Sequence, residues 1–125
     1  MNALAITHYA VRYIGVLLIL LGITLWTGNA LNLIPLHMAL GVLFVLSLWT
    51  LAALAARAGV ALGFVVLVAV WGIVVIALGM TQDSLLPNNA HWVIQVLHLL
   101  VGMAAIGQGE GLYRRAARSS AAATA

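Results

Sequence analysis

The chain has 125 residues, of which 66% are hydrophobic and 6% charged. Soluble domains carry about 25% charged residues, so these proportions exclude a chain that is soluble on its own. The net charge of +3 comes from five basic residues against two acidic ones, too sparse for a nucleic-acid-binding surface, and the lack of cysteine excludes disulfides, thiolate metal sites, iron–sulfur clusters and thiol redox catalysis.

A membrane-crossing helix needs about 20 predominantly apolar residues. Four stretches meet that requirement, at about 9–27, 36–56, 60–80 and 92–112. They predict an all-α integral membrane protein, one domain in the form of a four-helix bundle running up-down-up-down. In the first span, Thr7 or His8 is placed to cap the helix. The apolar run Ile14–Trp26 has the character of a signal-peptide core, but TGNALN after it is a poor cleavage site, so the span reads as retained. His8, Gly15, Gly22 and Asn29 fall at seven-residue steps. Such a stripe of small residues lets a backbone or a flat cofactor come close.

Gly28, Asn29 and Asn32 mark a turn, and Pro35 sits at the predicted first turn of the second span. His37 follows, with Gly41, Phe44 and Leu48 continuing its face. Arg57, Ala58 and Gly59 leave room only for a tight connection, which makes spans two and three an antiparallel hairpin. The third span has no ionisable side chain. Its Gly59–Gly63 pair forms a GxxxG, and Gly72 and Gly79 lie seven apart, both signals of close helix packing. The loop TQDSLLPNNAH is polar and turn-rich, with Asn89 placed to cap the fourth helix. That helix is predicted to end near Tyr113–Arg115, leaving 116–125 as a flexible tail.

All the arginines (Arg12, Arg57, Arg114, Arg115 and Arg118) fall on one side of a chain that crosses four times. The positive-inside rule then puts both termini in the cytoplasm, as expected of a bacterial inner-membrane protein. Trp26 and Trp92 mark the outer interface, Tyr9, Tyr13 and Tyr113 the inner one, and the deeper Trp49 and Trp71 read as packing residues.

The fourth span carries the chemistry. His91, Gln95, His98, Gly102 and Ala105 recur at helical spacing and share one face. A polar face in a membrane helix turns inward, toward another helix, a wet cavity or a cofactor. His98 is the deepest and the hardest to explain as an interfacial residue. His37 and His91 lie nearer the edge, where polar groups are common. His8 reads as a cap or surface group. Glu110 and Arg114, four residues apart, read as a helix salt bridge. His37 and His98 lie on helices of the same direction, 20 residues before Arg57 and 16 before Arg114 respectively. Their depths therefore differ by roughly 6 Å at 1.5 Å per residue, within reach of helix tilt.

The pairs His37-xxx-Gly41 and His98-xxx-Gly102, in a four-span layout, resemble the membrane b-type cytochromes. The resemblance implies haem b between neighbouring spans, electron transfer and a quinone partner. It makes His37 and His98 the axial metal ligands, with His91 as alternate ligand. Gly41, Gly102, Gly15, Gly22 and Gln95 would border the cofactor. Since no arginine lies at that end, the propionates would rely on Gln95, Asn29, Asn32, Asn88, Asn89 or His91. With only His8 in the inner half, the residues do not supply a second haem.

Two other functions stay open. One is a non-redox accessory subunit that packs through glycine stripes in a homo-oligomer or larger membrane complex. The other is a small transporter or channel component with His98 and Gln95 on a polar path. In each case the lipid bilayer is the solvent. The sequence carries no hydrolase or transferase signature: there is no cysteine, and Asp83 and Glu110 fall at opposite ends of the spans, so any enzyme activity would be at most that of a b-type redox protein.

Overall fold

The computed structural model describes residues 2–122. It contains four long helices, α1 (Ala3–Trp26), α2 (Ile34–Arg57), α3 (Leu62–Thr81) and α4 (His91–Ala122), with 3-10 turns at Leu31–Leu33 and Gln82–Ser84. Each is long and apolar enough to cross a membrane. Strands are absent among the described residues. The helices form a bundle in which each packs on its sequence neighbours, α4 closes onto α1, and α2 and α4 also meet across the middle. Neighbours run antiparallel. Gly15 faces Phe44 and Gly22 faces His37 between α1 and α2, while Gly79 faces His98 between α3 and α4.

Local chemistry accounts for the helix ends. Asn2, rather than Thr7 or His8, caps α1: its Oδ1 accepts the Ala5 N–H at 2.9 Å. Thr7 points its hydroxyl back to Ala3 O instead. Pro35 stands in the first turn of α2, where its missing N–H is not needed. At the other end of α2, Gly59 adopts φ +84. Gly59 N–H donates to Ala56 O and Val60 N–H to Ala55 O, the paired bonds of a Schellman stop. Gly59 is therefore a helix terminator, and Gly63 has nothing within 4 Å of where a Cβ would stand, so the Gly59–Gly63 motif is not a packing seam within this chain.

The main departure from the sequence reading is the length of α4. It continues through Ala122, across most of the segment expected to be a flexible tail; residues 123–125 of that expectation lie outside the described residues. RRAARSSAA is rich in alanine and arginine, both strong helix formers, and offers no glycine or proline to stop the helix. Ala116 is fully buried, and a Cβ at Gly59 would lie 3.9 Å from Ser119 Cβ, so the extension packs over the α2–α3 turn.

The bundle is not evenly packed. Its buried core (Val11, Leu48, Leu51, Ala55, Leu112 and Ala116 among others) is concentrated toward the end that holds the α2–α3 turn. Small residues close it: a Cβ at Gly109 would stand 2.8 Å from Val11 Cγ1, and one at Gly15 would stand 2.7 Å from Ile106 Cδ1. Gly72 similarly admits Trp49 and Val45. Leucine, valine, isoleucine and methionine cover the outside, including Leu20, Leu62, Ile73 and Met80, the reverse of a water-soluble surface. Trp49 and Trp71 pack as expected and also tie helices together, Nε1 donating to Ala69 O and to Val101 O, both at 3.0 Å.

Replacing Gly109 with Leu is expected to lower stability by about 1–3 kcal/mol, the usual cost of forcing bulk into a tight contact. Gly63→Leu should change little. Thermal unfolding of the detergent-solubilised protein checks this; equal melting temperatures for the two variants would show that the seam does not hold the bundle closed.

Candidate functional site

Away from the packed end, the four helices leave a cavity of about 450 Å³. His37 on α2 and His98 on α4 both line it. Their ring centroids are 6.4 Å apart, with the planes inclined at 57°. The depth difference seen in the sequence is thus absorbed by the packing of the two helices. The Nδ1 atom of each ring is buried without a hydrogen-bond partner, whereas Nε2 is not among the buried atoms and stays reachable from the cavity.

Glycines shape the space around the two imidazoles. A Cβ at Gly22 would lie 3.5 Å from His37 Cε1, and one at Gly79 would lie 3.2 Å from His98 Cε1. Gly22 on α1 and Gly79 on α3 therefore let each ring lie against a neighbouring helix. Gly41 and Gly102, one turn after each histidine, line the cavity with nothing within 4 Å of their Cβ positions. They keep space open rather than bring helices together. Gly15 forms the floor, against Ile106 and Phe44. His91 and Gln95 line the loop end. His37, His98, His91, Gln95, Gly15, Gly22, Gly41 and Gly102 thus lie around one cavity, whereas Asn29, Asn32, Asn88 and Asn89, the other candidates for the propionates, do not line it. The sequence reading took Gly79 for a packing residue only; the signal that could have found it is a glycine in the span antiparallel to His98, at a matching height.

The arrangement can be tested against a haem. A metal-bound imidazole nitrogen lies about 2.0–2.1 Å from its metal. Adding roughly 1 Å from that nitrogen to the ring centre, two imidazoles on opposite sides of one metal have centroids about 6 Å apart. The observed 6.4 Å is of that size. The volume is also within the range of about 300–1,000 Å³ typical of cofactor sites. No group of three or more His, Asp or Glu side chains suited to a bare metal ion occurs among the described residues. A two-nitrogen donor set of this kind suits a metal that brings its own equatorial ligands, as haem iron does.

A second polar cluster lies at the packed end. His8 is 5% exposed, so it is neither a cap nor a surface group. Its ring stacks on Tyr113 at 4.1 Å and 5°. Nε2 lies 3.0 Å from Glu110 Oε1, off the direction a hydrogen bond requires, so the contact is a close approach rather than an aligned bond. Arg12 Nε donates to the same oxygen at 2.8 Å. Glu110 therefore pairs across helices with Arg12 and not with Arg114. The antiparallel α1–α4 packing brings residues 8 and 12 beside 110 and 113, a juxtaposition that no spacing along one helix announces. Arg115 lies over the Phe64 ring at 4.0 Å.

No family model, curated protein or solved structure matches the chain.

Two consequences can be measured on the cofactor-free protein. Gly102→Ala should stabilise it by about 0.5–1 kcal/mol through helix propensity, because nothing opposes the added methyl. Gly79→Ala should not, because the methyl meets His98. At the other end, Glu110→Leu strips His8 and Arg12 of their partner and should cost about 1–3 kcal/mol. His8→Phe preserves the stack on Tyr113 and should cost less. Melting temperatures in detergent decide both comparisons; a gain from Gly79→Ala equal to that from Gly102→Ala would refute the first.

Proposed function

We propose that this chain is a membrane electron-transfer protein that binds one haem b, with His37 and His98 as the residues that would hold it. The observation that carries the reading is the pair of imidazoles from α2 and α4, 6.4 Å apart in an otherwise largely apolar cavity. When bound, haem supplies a one-electron iron couple. The protein's part is to hold it. His37 and His98 would hold the group between α2 and α4, and the chemistry it would supply there is one-electron transfer. Phe44, Ile106, Val75 and Ile76 make the cavity wall apolar, and a low-dielectric shell tunes the potential of such a site. Gly41 and Gly102 leave the faces beside the ligands open for a flat macrocycle, and Gly22 and Gly79 seat the rings. The far half of the bundle offers only His8, already held by Glu110 and Tyr113, so the proposal is for a single haem per chain.

In the bilayer, we place the arginine end in the cytoplasm, with both termini, by the positive-inside rule. His37 and His98 then sit in the outer half of a bacterial inner membrane. A quinone dissolved in the bilayer is the redox partner suggested by the resemblance to b-type cytochromes. A second reading, a non-redox subunit that packs against another chain, draws on Gly63 and Gly107. Both are exposed, with nothing within 4 Å of their Cβ positions.

Absorption spectroscopy of the purified protein separates these readings. Supplied with haem, the wild type is expected to show a Soret band that shifts on dithionite reduction. His37→Ala and His98→Ala should each abolish the low-spin spectrum, while His91→Ala retains it. A colourless protein after haem is supplied would overturn the haem proposal and leave the packing subunit.

A further inference from the structure

Apart from the histidine cavity, the α2–α3 hairpin carries a groove of about 380 Å³. It is lined by Trp49, Ala52 and Ala53 on α2 and by Val65, Ala69 and Ile73 on α3. Alanine makes the groove. Three of the six lining side chains end at Cβ, so the helices meet where Trp49 lies against Gly72 and leave a channel beside that contact. Trp49 Nε1 already donates to Ala69 O at 3.0 Å, so the lining side chains offer no free hydrogen-bonding group. Ala53 and Ile73 are exposed, and the groove therefore opens away from the bundle.

An arginine stands at one end of this groove. Trp49, Ala53 and Arg57 follow at four-residue steps and share a face of α2. Arg57 lies about 6 Å beyond Ala53 along the axis, at 1.5 Å per residue, and is exposed. The chain has two acidic side chains, Asp83 and Glu110. Arg12 takes Glu110, and Asp83 stands at the opposite end of α3, in the turn that follows it. Arg57 is thus left without a carboxylate side chain to pair with. The extension of α4 brings a second cation to the same turn. A Cβ at Gly59 would lie 3.9 Å from Ser119 Cβ, and Arg118, exposed beside Ser119, is carried there by that contact.

We propose that the α2–α3 groove and Arg57 form a binding site for an anionic phospholipid, with one acyl chain in the groove, the phosphate at Arg57, and Arg118 as the second cation. This inference goes beyond the haem reading and draws only on the membrane placement given with it, the arginine end toward the cytoplasm. Two features together select the occupant. An apolar channel that ends in a cation matches a molecule whose apolar chain ends in an anion. Arg57 also closes α2 at the end of an apolar span, the level at which the phosphates of one leaflet lie. Basic side chains at that level attract anionic headgroups. A guanidinium suits a phosphate because two of its N–H groups can meet two phosphate oxygens at once. A soluble anion would meet the arginines and leave the groove unused. A lipid without net charge would use the groove and gain little from the arginines.

The test is a pair of titrations of the full chain in detergent, followed by native mass spectrometry, one with phosphatidylglycerol and one with phosphatidylcholine of the same acyl chains. The wild type is expected to bind the anionic lipid about 25-fold more tightly, about fivefold for each arginine at a membrane surface. Arg57→Gln and Arg118→Gln should each lower that preference about fivefold, and Arg57→Lys should keep most of it. Arg114 supplies the control. It stands one turn beyond Glu110, on the face of α4 that meets α1 and away from the groove, so Arg114→Gln should leave the preference unchanged. Ala53→Trp, which fills the groove, should weaken both lipids alike. All four positions are exposed, so the lipid-free variants should melt with the wild type. Equal wild-type affinity for the two lipids overturns the site, as does an equal loss from Arg114→Gln and Arg57→Gln. Competition by inorganic phosphate at the lipid's own concentration would reveal a bare anion site, and a dimer that separates on Ala53→Trp would reveal a second copy in the groove; either overturns the lipid assignment. None of these outcomes bears on haem at His37 and His98.

Discussion

The contact on which the architecture depends is the small-residue seam between α1, α2 and α4. Gly109 lets α4 come down on Val11 and Leu48, and Gly15 receives Ile106 and Phe44. Helices whose outer faces are this apolar gain little from hiding leucine if lipid surrounds them, as proposed above. Helices associate where their surfaces can approach closely and gain dispersion contacts. Close approach at one end fixes the spacing of the helices, and the cavity exists because the side chains facing inward at the other end are too small to fill it. Gly41 and Gly102 border space where a leucine would have closed the core.

The polar groups follow the same division. At the packed end, Arg12 pairs with Glu110 across α1 and α4, and His8 lies against both Glu110 and the Tyr113 ring. A charge drawn into a bundle is costly unless it is paired, and here the pairing is made between helices that must be in contact first. The two tryptophans act similarly, each sending its indole N–H to a backbone carbonyl of the next helix. At the open end the buried Nδ1 atoms of His37 and His98 have no partner. The ring nitrogens of His8 at the packed end also lack an aligned partner, so what sets the open end apart is the space beside its two imidazoles.

Much of this was legible in the residues themselves. The spans follow from apolar runs, and the helix count from their number. The shared face of His91, Gln95, His98 and Gly102 follows from 3.6-residue periodicity. The histidine-to-glycine spacing in α2 and α4 marked the cavity walls, since an open position one turn from a polar residue is a local pattern. Other features were not legible, each for a stated reason. Gly59 reads as a packing glycine in a GxxxG, but its positive φ makes it a helix stop. Arg114 is the nearer partner for Glu110 along the chain, but Arg12 is nearer in space. The segment after Arg115 looks polar enough to be loose, yet it keeps its helix because nothing in it breaks one and Ala116 finds a buried position.

By itself, then, the chain determines a set of four apolar helices, their lengths to within a few residues except at the C-terminal end, and the faces on which histidine and glycine stand. These depend on hydropathy and on the geometry of a single helix, both properties of neighbouring residues. Only tertiary packing decided that His37 and His98 meet while His8 is sealed into an ion-pair cluster, and that Gly79, from a span without an ionisable group, seats one of the imidazoles. Those outcomes depend on how far four helices can close on one another, and that distance is set by pairs of residues remote in the chain.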